Sequence, residues 1–351
     1  MSKLIGLDVG YGFVKITDGE SGYSFPSVVG EGHTQPTFST RGSQVHPIDD
    51  LKVEMGGKLF YVGKAAVRQS KYVVRDLSRT RDIGNDFEVL FFSALSLFCN
   101  NRTSEFRVVT GLPVDRIHLA ENFEKRVRGE HNLKVSRGRE SRDLRIYVSE
   151  VEIVPQPLGS YWSEFLPLDS HEDVSMDGTV GTIDIGFRTT DLAAMEDGEY
   201  IPEKSKTLLV GLSTAYSEVS SKLAIEYGVE KEDYALDKIV INRQISLSGK
   251  TIDISHIIEE AFEKLATNIL VEINSLWRIA DLEHLVLTGG GGQALSGYLM
   301  SQFPQARLAR DPITANCRGY LAWGHRLWHA PDSYDPYETY EEISNYPNDN
   351  S

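Results

Sequence analysis

One pattern occurs twice in this chain, and it limits the folds open to it. Near the start, Gly6-Leu7-Asp8-Val9-Gly10-Tyr11-Gly12-Phe13-Val14-Lys15 reads as an apolar strand, a tight turn and a second strand. Past the middle, Thr182-Ile183-Asp184-Ile185-Gly186-Phe187-Arg188-Thr189-Thr190-Asp191 repeats the order of strand, Asp-x-Gly, turn and strand. A dinucleotide fold needs strand, turn and helix at this point, so the hairpins exclude that reading. Two copies so far apart argue for two related lobes rather than a solenoid. The 351 residues leave room for both, at roughly 150 residues per domain.

The residue types suit phosphate chemistry. A glycine after the strand lets backbone N–H groups approach an anion. The carboxylate before it would repel phosphate directly but can hold Mg²⁺, mostly through water. Lys15 supplies a point charge, and Thr189 and Thr190 supply hydroxyl donors. Two such hairpins facing each other would clamp a polyphosphate and its metal. A single Asp-x-Gly is common in ordinary turns; the second copy and a glycine run after a late strand, Gly289 to Gly292, tip the balance. No Walker-type GxxxxGK[ST] occurs, and no GxGxxG lies between a strand and a helix.

Elsewhere the pattern predicts strands at 51–55, 59–62 and 106–110, a strand-rich stretch over 134–154, and helices over 85–99 and 119–128. Pro155-Gln156-Pro157 should delay the next helix to about Leu158. Further helices are expected over 213–227, closed by Gly228, over 254–280 with Asp253 as N-cap, and over 314–328. Gly289 to Gly292 reads as a loop, 167–178 as a polar loop, and Arg188 as facing solvent or the lobe surface in preference to phosphate. Trp277, Trp323 and Trp328 fall on helical segments and read as core.

Composition excludes several classes. With 40% hydrophobic and 25% charged residues the chain is not disordered as a whole. A net charge of −15 disfavours direct coating of nucleic acid. The basic stretch from Lys125 to Arg145 carries eight Lys/Arg against three acids and reads first as a solvated hairpin, with an adaptor or neighbouring subunit as the sharper alternative. The two cysteines form no CxxC pair, which points to a reduced, cytoplasmic protein. No apolar run is long enough to insert in a membrane, and the nine histidines include no HExxH motif. Residues 330–351 hold six acids and no Lys or Arg, and read as an acidic, disordered tail.

Taken in order, several segments resemble the actin superfamily, and within it the plasmid-segregation ATPases of the ParM/StbA type and their archaeal actin-like relatives. Residues 7–15 look like the first phosphate loop and 183–191 like the second. Thr110-Gly111-Leu112-Pro113 is similar to the TGLP element of this branch. Pro155-Gln156-Pro157-Leu158-Gly159 looks like the first inter-domain connector, and Ala315-Asn316 to Gly319-Tyr320 like the second. Val210-Gly211-Leu212-Ser213 resembles the stretch beside the base and sugar, and Leu287-Thr288-Gly289-Gly290-Gly291 the adenosine loop.

The resemblance implies an α/β, actin-like fold of two ribonuclease-H-like lobes with a nucleotide cleft between them. Lobe I would be 1–155 plus 316–329, and lobe II 156–315. ATP or ADP with Mg²⁺ would contact Asp8, Gly10, Tyr11, Gly12 and Lys15 on one side and Gly186, Thr189, Thr190, Gly211, Gly289, Gly290 and Gly291 on the other. Asp8 and Asp184 would face the metal through water, and Gln156 and Asp184 would serve the attacking water. Gln is a poor base, so slow hydrolysis is expected; phosphoryl transfer needs mainly positioning. The chain would assemble head to tail into dynamic filaments for plasmid or DNA segregation or for intracellular positioning, with a DNA-binding adaptor as a further partner. The alternatives are a small-molecule kinase of the same superfamily and a non-polymerising, ATP-dependent chaperone or reactivating factor.

Overall fold

A computed structural model describes residues 2–33, 46–70, 72–78, 84–138, 140–166 and 178–329. The acidic tail and all but the last residue of the loop expected over 167–178 lie outside them. The repeated hairpins open two sheets of the same plan. In the first, Gly22–Pro26, Phe13–Thr17 and Lys3–Val9 run antiparallel in that spatial order, followed by Thr103–Leu112 and Glu140–Pro155 parallel to Lys3–Val9. In the second, Glu199–Leu208, Thr190–Glu196 and Thr179–Ile185 are antiparallel, followed by His284–Thr288 and Ala306–Leu308 in parallel. The first sheet continues beyond Glu140–Pro155 through Gly129–Arg137, Leu51–Met55, Lys58–Val62, Val29–Glu31 and Val73–Val74.

Strands that start each sheet are buried on both faces, which is why their sequences run apolar without alternation. Helix Asn85–Ser96 lies against Lys3–Val9, as does helix Ala315–His329. Helix Ser255–Leu276 buries Ile258, Phe262, Leu265, Ile269 and Ile273 in the second core, the face its spacing marks out. It ends four residues short of the expected Ala280, because Trp277 turns extended and its indole N–H donates to the Lys204 carbonyl at 2.7 Å. The N-cap is Ile254 rather than the expected Asp253, which instead accepts the Ser255 backbone N–H at 3.0 Å from one position further out.

Two helices join the sheets. Gln156–Phe165 leaves the first sheet directly after Glu140–Pro155, and Ala315–His329 returns from the second. The first begins at Gln156 rather than Leu158: a proline in the first helical turn lacks only an N–H that has no partner there. The two helices cross with backbones touching. A methyl group added at Gly319 would lie 1.7 Å from the Gly159 carbonyl oxygen, so no other residue fits without parting them. Trp162 and Trp323 stack across the same crossing at 4.6 Å and 8°.

Elements absent from the sequence reading include strands Gly22–Pro26, Val29–Glu31, Val73–Val74, Glu199–Leu208 and Ala306–Leu308, helices Lys64–Gln69 and Asp233–Asn242, and the hairpin Gln244–Leu247 with Lys250–Asp253. No helix among the described residues is long and apolar enough to cross a membrane.

Candidate functional site

The first hairpin places Asp8 opposite Lys15 in register, and Lys15 Nζ donates to Asp8 Oδ2 at 2.9 Å. Asp8 is only 3% exposed. Burial pulls the Lys15 pKa down, but the charge and hydrogen bond of Asp8, with the charge of Asp184, outweigh it and leave the ammonium above its usual value. Gly10 sits under this pair: a methyl group there would stand 2.9 Å from the Phe13 carbonyl oxygen and 3.2 Å from Lys15 Nζ. Tyr11 reaches outward and donates to the Ser78 carbonyl at 3.4 Å.

In the second hairpin Asp184 is buried, and burial together with Asp8 pushes its pKa up to about 6, against the restraint of the Asn316 amide and Lys15. Asn316 Nδ2 donates to Asp184 Oδ2 at 2.7 Å. Asp191, to which the sequence assigned no role, is equally buried. Burial and then the charge of Asp184 raise it to about 7, although Thr207 and Thr189 donate to it and the Val114 N–H reaches it from the segment after the TGLP element. The Thr189 and Thr190 hydroxyls point inward, to Asp191 Oδ2 at 3.0 Å and to the Val210 carbonyl at 2.8 Å. Arg188 is partly exposed, at the surface as the sequence reading expects. Its Nε donates to the Leu77 carbonyl at 3.1 Å and its NH1 to the Leu209 carbonyl at 3.3 Å, tying this turn to its neighbours.

The two turns meet. A methyl group at Gly12 would lie 2.8 Å from Phe187 Cβ. Phe187 in turn packs edge-on against Tyr216 at 5.2 Å and lies under the Arg75 guanidinium at 4.6 Å. The Arg75 side chain is 2% exposed and pairs with Asp237 at 2.9 Å, so the segment that follows strand Val73–Val74 touches helix Asp233–Asn242.

Backbone groups complete the surroundings. The Gly186 and Phe187 carbonyls accept the Leu212 and Ser213 N–H groups, fixing the turn to the start of helix Leu212–Tyr227, with Gly211 pressed against Gly186. The glycine run is not a loop but the first turn of helix Gly289–Leu299. Gly289 has φ +82°, and a methyl group on it would strike Asp184 Oδ1 at 2.5 Å. Gly291 is packed equally closely on Ile185, while Gly290 is exposed. Helix N-termini of this kind favour anions. Gln156 lines a cleft with Val9, Tyr11, Gly111 and Pro113, on the side of the first turn. Its backbone carbonyl accepts the Tyr320 hydroxyl at 3.0 Å.

This set fits a polyphosphate with a divalent ion: two buried carboxylates, one retained ammonium, and glycine turns that a Cβ would block. Among the described residues no group of three or more His, Cys, Asp or Glu could hold a metal unaided. An ion here would therefore take its remaining ligands from phosphate and water, as Mg²⁺ prefers.

The basic stretch is largely paired on its own surface. Lys125 bonds Glu121, Arg126 bonds Glu88, Arg128 bonds Glu124 and Glu150, Arg142 bonds Glu140, and Arg145 bonds Glu130. These acids favour the solvated-hairpin reading over a nucleic-acid surface.

Comparison with known proteins agrees with the geometry. The family model for the N-terminal domain of actin-like proteins matches residues 6–159, and that for the C-terminal domain of the archaeal MreB-like actin homologue matches 182–301. Among solved structures, a ParM from a 15-stranded filament of Clostridium botulinum is 26% identical, with a TM-score of 0.79 over 93% of this chain and 100% of that one. A non-polymerisable quadruple mutant of the pCBH ParM is 23% identical, with a TM-score of 0.78 over the same shares. An archaeal actin homologue in complex with ADP is 22% identical, with a TM-score of 0.74 over 93% and 100%. No curated protein matches the sequence.

Proposed function

The chain belongs to the actin superfamily, as a ParM-like protein with the two-lobe actin-like fold, and from that premise we propose that it is a filament-forming ATPase with ATP and Mg²⁺ between its lobes. In this reading lobe I is 1–155 with 316–329, and lobe II is 156–315. The observation that carries it is Lys15, held charged between Asp8 and the field of Asp184, where two matched turns touch. An ADP complex of one neighbour and a filament of another support nucleotide binding and self-assembly.

Each residue then has a task. Lys15 and the turn N–H groups around Gly10 to Gly12 bind phosphate oxygens, and Gly186, whose own N–H closes its turn on the Thr189 carbonyl, leaves room for them on the other side. Asp8 and Asp184 orient metal-bound water, and a bound Mg²⁺ would supply neutralisation of the phosphate charge. Thr189 and Thr190 support the second turn through the bonds they already make, and offer their N–H groups. Gly211, Gly289, Gly290 and Gly291 leave room for base and sugar. Tyr11 closes over the first turn. Gln156, at the start of the connecting helix, orients the attacking water without acting as a strong base, so turnover is slow.

The protein acts in the cytoplasm, as the absence of paired cysteines suggests, and reaches DNA, where it does, through an adaptor. Steady-state ATP hydrolysis is the test. Slow, Mg²⁺-dependent turnover that falls in Gln156→Ala is expected. Turnover that requires a sugar or acid acceptor would instead identify a kinase.

A further inference from the structure

Asp184 is held by a residue that no motif reading assigns a task. Asn316 is 6% exposed and lies in the first turn of helix Ala315–His329, the return connection between the sheets. Its Nδ2 donates to Asp184 Oδ2 at 2.7 Å, and its Oδ1 accepts from the Ser160 hydroxyl at 2.5 Å. Ser160 belongs to the other connecting helix and also contacts Thr288 Oγ1 at 3.1 Å, beside Asp184 in the sheet. The chemistry admits one orientation of the amide. An ionised carboxylate only accepts, so the amide nitrogen must face Asp184 and its carbonyl must face the hydroxyl. An aspartate at 316 would set two carboxylates against each other.

We propose that Asn316 is a positioning residue for hydrolysis, fixing one oxygen of Asp184 and thereby making the aim of that carboxylate depend on how the two connecting helices sit. Oδ2 is taken by the amide, while Oδ1 stays beside the Gly289 turn. The helices have no slack between them, since a methyl group at Gly159 would fall 2.8 Å from Asn316 Cα and one at Gly319 would fall 1.7 Å from the Gly159 oxygen. Any change in how the two connecting helices sit therefore bears on the chain Ser160–Asn316–Asp184. A short, buried, charge-assisted bond of this kind transmits orientation well. Asn316 touches neither nucleotide nor water in this scheme; it acts through Asp184.

The inference rests on the ATPase reading, and the test separates the two. Full-length Asn316→Ala, Asn316→Asp, Ser160→Ala and the Asn316→Ala/Ser160→Ala double variant are assayed for kcat and KM with ATP, for ADP affinity by calorimetry, and for thermal midpoint. Both Asn316 variants should lose about 10- to 100-fold in kcat; Asn316→Ala should do so with KM and ADP affinity within about threefold, while Asn316→Asp, which sets two buried carboxylates together, should also lower the midpoint. Ser160→Ala should fall less, and the double variant no further than Asn316→Ala alone, because Ser160 acts through the amide. A wild-type chain that hydrolyses no ATP overturns the ATPase reading and this one with it. An active wild type whose Asn316 variants keep its kcat overturns the positioning role alone. A parallel fall in kcat, affinity and midpoint marks a purely structural residue and overturns it too.

Discussion

Gly12 and Phe187 touch across the two halves of the molecule: a methyl group added to the glycine would stand 2.8 Å from Phe187 Cβ and 3.2 Å from its Cγ. One belongs to the first repeated turn and the other to the second, so the contact measures how far the turns have closed. Gly12→Val should push them apart and weaken ADP binding by about tenfold, the equivalent of ~1.4 kcal/mol. Truncating the ring in the Gly12→Val/Phe187→Ala double variant should recover part of that affinity. Calorimetry on the four proteins decides it, and losses that simply add would place the effect elsewhere.

Removing Lys15 should be costlier to binding than to folding. Its ammonium is the nearest counter-charge to Asp8 and contributes to holding Asp184 ionised. Lys15→Met is expected to abolish measurable ADP binding at concentrations that saturate the wild type, while the protein still unfolds cooperatively at a reduced midpoint.

The buried carboxylates give a pH dependence of definite sign. Asp184 and Asp191 have folded pKa values raised to about 6 and about 7, so between the ordinary carboxylate value of 3.8 and those values the folded state binds more protons than the unfolded. Stability contributed by these two groups therefore falls as pH rises through that window and levels off above it. Nucleotide-free protein should gain relative to Asp191→Asn when the pH is lowered from 8 to about 5, as read by denaturant unfolding. No difference in pH slope between the two would contradict the assignment.

Much of this was legible in advance, for reasons that differ by residue. The repeated Asp-x-Gly turns were visible because their flanking strands are buried on both faces and run apolar. The face of helix Ser255–Leu276 was visible because its burial keeps a helical period. The four glycines misled: they leave no periodic signal, and their helix is fixed by tertiary packing of Gly289 on Asp184 and Gly291 on Ile185. Strand Glu199–Leu208 was hidden because it is an edge strand, half of it exposed, with Pro202 and four charged residues in its length. Arg188 was read as a surface residue, but its partners, the carbonyls at 77 and 209, are revealed by no local pattern. Asn316 and Asp191 stood within recognised motifs, but their roles depend on a group more than a hundred residues away for one and on the backbone N–H of Val114, 77 residues away, for the other.

Arg75 joins the halves a second time. Its guanidinium lies over Phe187 and bonds Asp237, while Nε and NH1 are buried without a partner. Arg75→Ala should destabilise the protein by roughly 3 kcal/mol, because it strands Asp237 and uncovers the ring. Adding Asp237→Ala should recover part of the loss in urea unfolding, since the orphaned charge is then gone.

The central claim is nucleotide-driven self-assembly, and right-angle light scattering of the purified full chain on addition of ATP and Mg²⁺ tests it most directly. Scattering should rise above a threshold protein concentration, decline as ATP is consumed, and fail to rise in Lys15→Met. A flat trace across a broad concentration range, from a protein that binds ATP and hydrolyses it, would contradict the account.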